Sequence, residues 1–438
     1  MKTTIFALAT PPGQSGIAVI RLSGLEARPV LDQIAGKPRP QPRKASLRAI
    51  TGIDGETIDQ ALVLWFPAPA SFTGEDCVEL HLHGGPAVIE ATISTLLHYG
   101  AIPAEAGEFT RRAFESGKLD LTEAEGLADL IEAETEGQRK QALAQMTGSL
   151  RSLYEDWREQ LISIMASIEG EIDFPDEGDV PDNLSHIAYA PLSGLIRSME
   201  DHLDDDKRGE RIRGGFSVAL IGAPNAGKSS LLNRLARRDA AIVTDTPGTT
   251  RDIVEVRLTM KGFPVVISDT AGLREAVDAI EAEGVRRALD RADSADLRIG
   301  VADARSRDEM EGLRGRLQDG DILVLNKLDL APEASEQGAS RLSAKSGDGV
   351  AELEARIEAI VEARLSKSEI PALSRARHRR SVTEAHASLM RCQQKLASDP
   401  ELAGEDARLA VRALESLTGR VDVEDVLGRV FSQFCIGK

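Results

Sequence analysis

The sequence predicts a multidomain chain of class α/β plus α. An alternating strand–helix domain is inserted into a helical domain, and a small α+β domain precedes both. Three observations carry this. Short Val/Ile-rich runs between Gly/Pro turns fill residues 1–118. Apolar residues at helical spacing mark 119–213 and again 371–438. Strands and helices alternate across 214–370, as a parallel sheet requires. Neither helical stretch needs to fold alone, because folding back lets their apolar faces bury each other. At 438 residues the chain is long enough for about three domains.

In the first segment, Gly16–Leu22, Ala61–Phe66 and Cys77–His83 read as strands, and Pro86–Leu97 as a helix with proline at its start. The stretch 36–44 (GKPRPQPRK) reads as an exposed loop. Next, Leu119, Leu121, Ala124, Leu127, Ala128 and Ile131 form a helical stripe, with Thr122 and Glu125 resembling a capping box. One helical run covers about 135–170, Asp173–Asp182 breaks it, and a third runs to about 208. Gly214-Gly215 closes a charged stretch and makes a boundary. Beyond it, Phe216–Ile221, Pro264–Ser268 and Ile322–Leu325 read as buried strands, and Ser229–Arg237 as a helix. Asp296–Asp303 should be a central strand, although Arg298 and Gly300 suit one poorly. Arg298 is expected near its start, reaching solvent by its long stem. Arg375, Arg377, Arg379 and Arg380 open the last helical segment, as solvated charges or as a polynucleotide contact.

Composition excludes several classes. With 71 acidic residues against 53 Lys plus Arg, the net charge of -18 argues against nucleic-acid binding by overall charge. Only 3% aromatic residues disfavours broad base-stacking platforms. Cys77, Cys392 and Cys435 are too few and too scattered for a disulfide framework or zinc cluster. Cys77 and Cys392 read as packing residues. No apolar run approaches the roughly 20 residues a bilayer needs, and no secretory leader is recognisable, so a cytoplasmic protein without membrane contact is expected.

The strongest chemical signal is Gly222-Ala-Pro-Asn-Ala-Gly-Lys-Ser229, between a predicted strand and a predicted helix. In this phosphate-binding loop, backbone N–H groups and the helix N-terminus surround phosphate oxygens. Lys228 reaches the β and γ phosphates, and Ser229 supplies an oxygen to Mg²⁺. Asn225, Ala226, Gly227 and Ser230 complete the loop's contacts. Asp269-Thr270-Ala271-Gly272 ends a strand: Asp269 holds Mg²⁺ directly or through water, and Gly272 N–H meets the γ phosphate. In Asn326-Lys327-Leu328-Asp329, the Asp329 carboxylate matches the N1 and N2 hydrogens of guanine, which adenine cannot offer. Ser343-Ala344-Lys345 lines the base from the other side. Thr244, Asp245, Thr246, Pro247, Gly248, Thr249 and Thr250 form a polar loop expected to order around the γ phosphate, with Thr250 as the second Mg²⁺ hydroxyl. This is the motif order of a Ras-like P-loop GTPase domain. Leu273 stands where many such domains carry a water-orienting glutamine; Glu275, Asp278, Glu281 and Glu283 are candidates to replace it, and composition does not choose among them.

Further motifs lie outside that domain: Gly16-Ile-Ala-Val-Ile-Arg-Leu-Ser-Gly24, Ser71-Phe-Thr-Gly-Glu-Asp76, His81-Leu-His-Gly-Gly85, Gly107-Glu-Phe-Thr-Arg-Arg-Ala-Phe114, Gly117-Lys-Leu-Asp-Leu121 and the ending Cys435-Ile-Gly-Lys438. With them the chain, over nearly its whole length, resembles the bacterial tRNA uridine-modification GTPases of the MnmE or TrmE family. Ala106 departs from the proline usual there, which affects a turn and no reactive group. The resemblance implies an N-terminal domain, 1–118, that dimerises and binds a 5-formyl-tetrahydrofolate-type one-carbon donor through Arg21, Glu79, Lys118 and Lys438. It implies helical segments 119–213 and 371–438 around a G domain, 214–370. It implies K⁺ held by Asn225, Thr244, Thr246 and Thr249, with Glu281 as the catalytic carboxylate and Lys228 as the phosphate-binding cation. Cys435 is implied to be a functional thiol near folate and tRNA; as a prenylation signal the tail is poor, because it ends in lysine.

The implied reaction is GTP-dependent modification at C5 of the wobble uridine of certain tRNAs, giving 5-carboxymethylaminomethyluridine. A flavoprotein of the MnmG or GidA type brings FAD in a heterotetramer. The alternative on the GTPase motifs alone is a GTP-dependent switch or ribosome-assembly factor without modification chemistry.

Overall fold

The structure, a computed structural model, describes residues 3–173, 184–238, 254–269, 293–366, 371–421, 424–432, 434, 436 and 437. Contacts divide the chain into two compact units: 1–128, 145–182 and 399–438 form one, 129–144 and 183–398 the other.

The first unit is built on a six-stranded sheet in the order β3-β4-β5-β2-β1-β6. Its strands are β1 (Ile5–Leu8), β2 (Ser15–Ser23), β3 (Ser46–Thr51), β4 (Thr57–Phe66), β5 (Cys77–Gly84) and β6 (Ile102–Pro103). All pairings are antiparallel except β1 with β6. The period of two sends Ile20 and Leu22 of β2 and Val78, Leu80 and Leu82 of β5 to one face. There they pack with Val30, Leu31 and Ile34 of helix Ala27–Ile34 and Leu96 of helix Pro86–His98. The other face receives Arg21 and Glu79. At the β1 edge it is covered by Phe109 of helix Glu108–Glu115, packed on Ile5 and Ala7.

The helical stretches pair in two separate couples, one within each unit. Within the first unit, helix Pro400–Thr418 runs along Ser149–Asp173, tied by Arg158 to Glu415 at 2.9 Å. Within the second, helix Ala376–Lys395 packs on Leu184–Leu203. The run expected over 135–170 is two helices, Glu136–Met146 and Ser149–Asp173. Gly148 breaks it at φ +93.

The capping box also differs from expectation. Asp120 Oδ1 accepts the Glu123 N–H at 2.7 Å, and Glu123 Oε2 accepts the Asp120 N–H at 2.7 Å. Helix Leu121–Glu132 thus starts with Asp120 and Glu123, while Thr122 and Glu125 are fully buried in its first turns. Asp120→Ala is expected to cost about 1 kcal/mol in a denaturant titration of the full chain. No change in midpoint would exclude the cap.

The second unit holds the alternating domain. Its sheet runs β12-β11-β10-β7-β9-β8, with β7 (Phe216–Ile221), β8 (Val254–Met260), β9 (Phe263–Asp269), β10 (Leu297–Asp303), β11 (Ile322–Asn326) and β12 (Ser340–Arg341). Only β8 is antiparallel to its neighbour. Leu231, Leu232 and Leu235 of helix Lys228–Arg238 and Val350, Leu353 and Ile357 of helix Val350–Leu365 cover one face. Leu313 of helix Arg307–Arg314 covers the other. Because β7 has later strands on both sides, the loop that follows it opens at the topological switch point, where α/β sheets bind ligands.

Two expectations about arginines are corrected. Arg298 does not reach solvent. It is 8% exposed, its Nη2 donates to Asp293 O at 2.8 Å, and its Nη1 lies 3.5 Å from Asp321 Oδ2. A buried charge needs such a partner, and Asp321 supplies it from the turn before β11. Gly300 beside it leaves room for Leu317, whose Cδ1 would lie 3.1 Å from an added Cβ. Arg375 and Arg379 are neither solvated nor open to a polynucleotide. Arg375 pairs with Asp129 at 2.7 Å, and Arg379 pairs with Asp205 at 2.7 Å and Glu210 at 2.9 Å. Arg380 is exposed.

Candidate functional site

The phosphate-binding loop forms because β7 ends against β10. An added Cβ at Gly222 (φ +153) would lie 2.2 Å from Val301 O, so only glycine lets the chain leave the sheet there. At Gly227 (φ +99) the same atom would lie 2.2 Å from Asn326 Nδ2. That position belongs to Asn326. It donates to Ala226 O at 2.8 Å and accepts the Ala344 N–H at 2.9 Å. One buried amide thus ties the phosphate loop to the loop at 343–345.

Lys228 is 4% exposed and lies across the loop, donating from Nζ to Gly222 O at 2.7 Å and Ala223 O at 2.9 Å. Burial lowers its pKa, and the nearby Asp269 and Glu309 carboxylates oppose that. Ser229 Oγ donates to Asp269 Oδ2 at 2.5 Å. A hydroxyl and a carboxylate face to face are the hard oxygen donors Mg²⁺ takes in phosphate sites, where few protein ligands suffice. Among the described residues no cluster of three or more His, Cys, Asp or Glu could form a protein-only metal cage. Asn225 is exposed and left-handed (φ +64). Ser230 is exposed on the first helical turn.

At the other end of the site, Ser343 Oγ donates to Asp329 Oδ1 at 2.7 Å, while Asp329 as a whole stays exposed. Arg234 fastens the neighbouring carbonyl of Lys345 at 2.7 Å. The structure therefore brings together Ala226, Gly227, Lys228, Ser229, Asp269, Asn326, Lys327, Asp329, Ser343 and Ala344 at the C-terminal end of the parallel sheet. Thr244, Asp245, Thr246, Pro247, Gly248, Thr249, Thr250, Thr270, Ala271, Gly272, Glu281, Cys435 and Lys438 lie outside the described residues. Sequence reasoning missed Asp303 and Arg305, which join Lys327. The available signal was an acidic residue at the C-terminal end of a central parallel strand.

A second constellation lies in the first unit. Arg21 and Glu79 are register partners, with Nη2 to Oε1 at 2.9 Å and Nε to Oε1 at 3.1 Å. Arg21 lies 5.8 Å from the ring centres of both Phe72 and Phe109. His81 Nε2 lies 3.4 Å from Glu79 Oε2. The turn 71–76 has Phe72 at Arg21, and its Gly74 faces the Lys118 stem. Arg21 and Lys118 thus flank one turn, with the Glu79 carboxylate paired to Arg21. Near the tail, Ile436 forms a bridge with Ala106, and Gly437 packs on Leu8 and Ala9. Cys77 and Cys392 are buried thiols, and neither is in a disulfide. No described helix is long and apolar enough to cross a membrane.

Comparisons with known proteins agree with this layout. The family model for the GTP-binding protein TrmE N-terminus matches residues 4–118, and that for the MnmE helical domain matches 121–435. A tRNA modification GTPase MnmE of Maricaulis maris is 74% identical over 438 residues, covering 100% of both chains. That of Paramagnetospirillum magneticum is 51% identical, also covering 100% of both. That of Hyphomonas neptunium is 52% identical and covers 100% of this chain and 99% of the other. On its motifs, its fold and these matches, the chain belongs to the MnmE/TrmE family of tRNA modification GTPases.

Proposed function

We propose that the chain hydrolyses GTP to drive modification at C5 of the tRNA wobble uridine. The observation that carries this is one sheet end holding Lys228, Ser229 and Asp269 for phosphates and metal beside Asn326, Asp329 and Ser343 for guanine. Lys228 neutralises the β and γ phosphates as charge develops in transfer. Asp329, steadied by Ser343, accepts from the guanine edge and excludes adenine. Ser229 and Thr250, with Asp269, would hold Mg²⁺, which would supply Lewis-acid charge at the phosphates. Asn225, Thr244, Thr246 and Thr249 would hold K⁺, which would supply the positive charge of an arginine finger, and Glu281 would orient the attacking water.

In the same reading, residues 1–118 dimerise and bind the one-carbon folate at Arg21, Glu79, Lys118 and Lys438. Residues 119–213 and 371–438 form the helical body around the G domain at 214–370. Cys435 acts in the modification step, and a flavoprotein partner contributes FAD. The match of the N-terminal segment favours this over a switch or ribosome-assembly factor without modification chemistry.

Turnover is expected to be at least about tenfold slower in NaCl than in KCl at equal ionic strength. Equal rates would remove the K⁺ assignment. A strain lacking the gene should lose carboxymethylaminomethyluridine by mass analysis of wobble nucleosides and regain it on complementation. An unchanged nucleoside profile would sink the tRNA role.

A further inference from the structure

Lys327 belongs to the Asn326–Asp329 motif, yet its ammonium is not seen paired with Asp329, the carboxylate two residues away that guanine needs. It pairs instead with Asp303 at the end of β10, Nζ to Oδ2 at 2.9 Å. Arg305 clamps the same carboxylate, Nη2 to Oδ2 at 2.7 Å and Nε to Oδ1 at 3.0 Å, and its own N–H donates to Oδ1 at 3.0 Å. Glu309 Oε2 accepts the Asp303 N–H at 3.0 Å. Asp303 is 8% exposed, and its two carboxylate oxygens accept from Arg305 and Lys327 together. Lys327 is held left-handed (φ +67), which fixes where its stem departs. Charges then alternate from Arg305 to Asp303 to Lys327 to Asp329, and Arg305 is also near enough to feel the Asp329 charge.

An ammonium released from Asp303 would seek another carboxylate, and Asp329 stands two residues along the chain. If it chose Asp329, that carboxylate would lose acceptor capacity toward the guanine N1 and N2 hydrogens. We propose that Asp303 is a positioning residue for guanine selectivity: it captures the Lys327 ammonium and so leaves Asp329 free for the base. This rests on the reading of the site as a guanine-nucleotide site. Arg305 completes the capture by fixing the carboxylate plane.

The test uses the full chain and measures GDP, IDP and ADP affinities by competition with a fluorescent guanine nucleotide. IDP lacks the exocyclic N2 donor, so the GDP-to-IDP preference reports the second Asp329 hydrogen bond. Asp303→Asn is expected to lower that preference about tenfold, because one charge-assisted acceptor is compromised. KM for GTP should rise more than kcat falls. Adding Lys327→Met to Asp303→Asn should restore most of the preference, since the competing ammonium is gone. Asp303→Glu should keep more of it than Asp303→Asn. An unchanged preference in Asp303→Asn overturns the proposal. So does a lowered preference that Lys327→Met leaves unrestored, which would assign Asp303 a scaffold role only. If the wild-type chain binds ADP as tightly as GDP, the guanine reading itself fails, and the proposal falls with it.

Discussion

Replacing Lys228 by alanine is expected to lower kcat/KM for GTP by about three orders of magnitude. The expectation comes from where the ammonium already sits. It is buried, and it is bonded to two carbonyls of its own loop at 2.7 and 2.9 Å. Burial disfavours its charge, yet Asp269 and Glu309 are near enough to oppose that. Folding has therefore placed the cation in the loop before any nucleotide arrives, held by the loop's own carbonyls. Little reorganisation remains when phosphate oxygens come to lie beside it. Such preorganised charge in a dry site gives the largest single contribution to transition-state stabilisation, and losing one donor of this kind costs about 10²–10³-fold. Weaker ground-state binding adds to that loss. Lys228→Arg should rescue poorly, because a planar fork does not fit a loop that encloses a point charge. Steady-state kinetics with a thermal melt as control decide the matter. Hydrolysis within tenfold of wild type, with the fold intact, contradicts it.

The features most legible in the sequence are those whose chemistry needs neighbouring residues. The loop at 222–229 must be contiguous, because one turn of backbone surrounds one phosphate group; its flanking strand appears where expected, at Phe216–Ile221. Asp269 and Asn326 were legible for a related reason: each ends a strand, so the strand signal places it at the sheet's ligand-binding end. What escaped is pairing across distance. Arg298 looked misplaced in a central strand because nothing nearby announces Asp321, 23 residues later, as its counter-charge. Asp303 looked like an ordinary strand end until Lys327 was seen against it. The helix cap failed by two residues because Asp120/Glu123 and Thr122/Glu125 both satisfy the same local pattern. Burial of the second pair decided between them. In the first unit, the resemblance pointed to Arg21 and Glu79 as separate ligand contacts. Their direct pairing follows from strand register, which no local pattern encodes.

Arg112→Met is expected to destabilise the first unit by about 3–5 kcal/mol, the cost of removing one partner from a buried ionic network. Arg112 is 5% exposed. Its Nη2 bonds Glu108 Oε1 at 2.7 Å, and its Nη1 bonds Glu75 Oε2 at 2.9 Å and Thr3 O at 2.8 Å. Burial pulls its pKa down, but hydrogen bonds to Glu108 and Glu75 outweigh this and raise it above the usual arginine value. Methionine keeps the stem and leaves two carboxylates facing each other without a cation. The damage should also reach the turn at 71–76. Ser23 Oγ bonds both Glu75 at 2.8 Å and Thr73 at 2.7 Å, so the same network holds the turn flanked by Arg21 and Lys118. On the proposed assignments, folate affinity should fall accordingly, while GTP binding should persist. Arg112→Lys, with the charge but without the fork, should fall between. Thermal melts supply the check, with a shift of roughly 10 °C expected for Arg112→Met near neutral pH. A deficit that Arg112→Lys does not reduce would show that lost packing, and not uncompensated charge, is what Arg112 prevents.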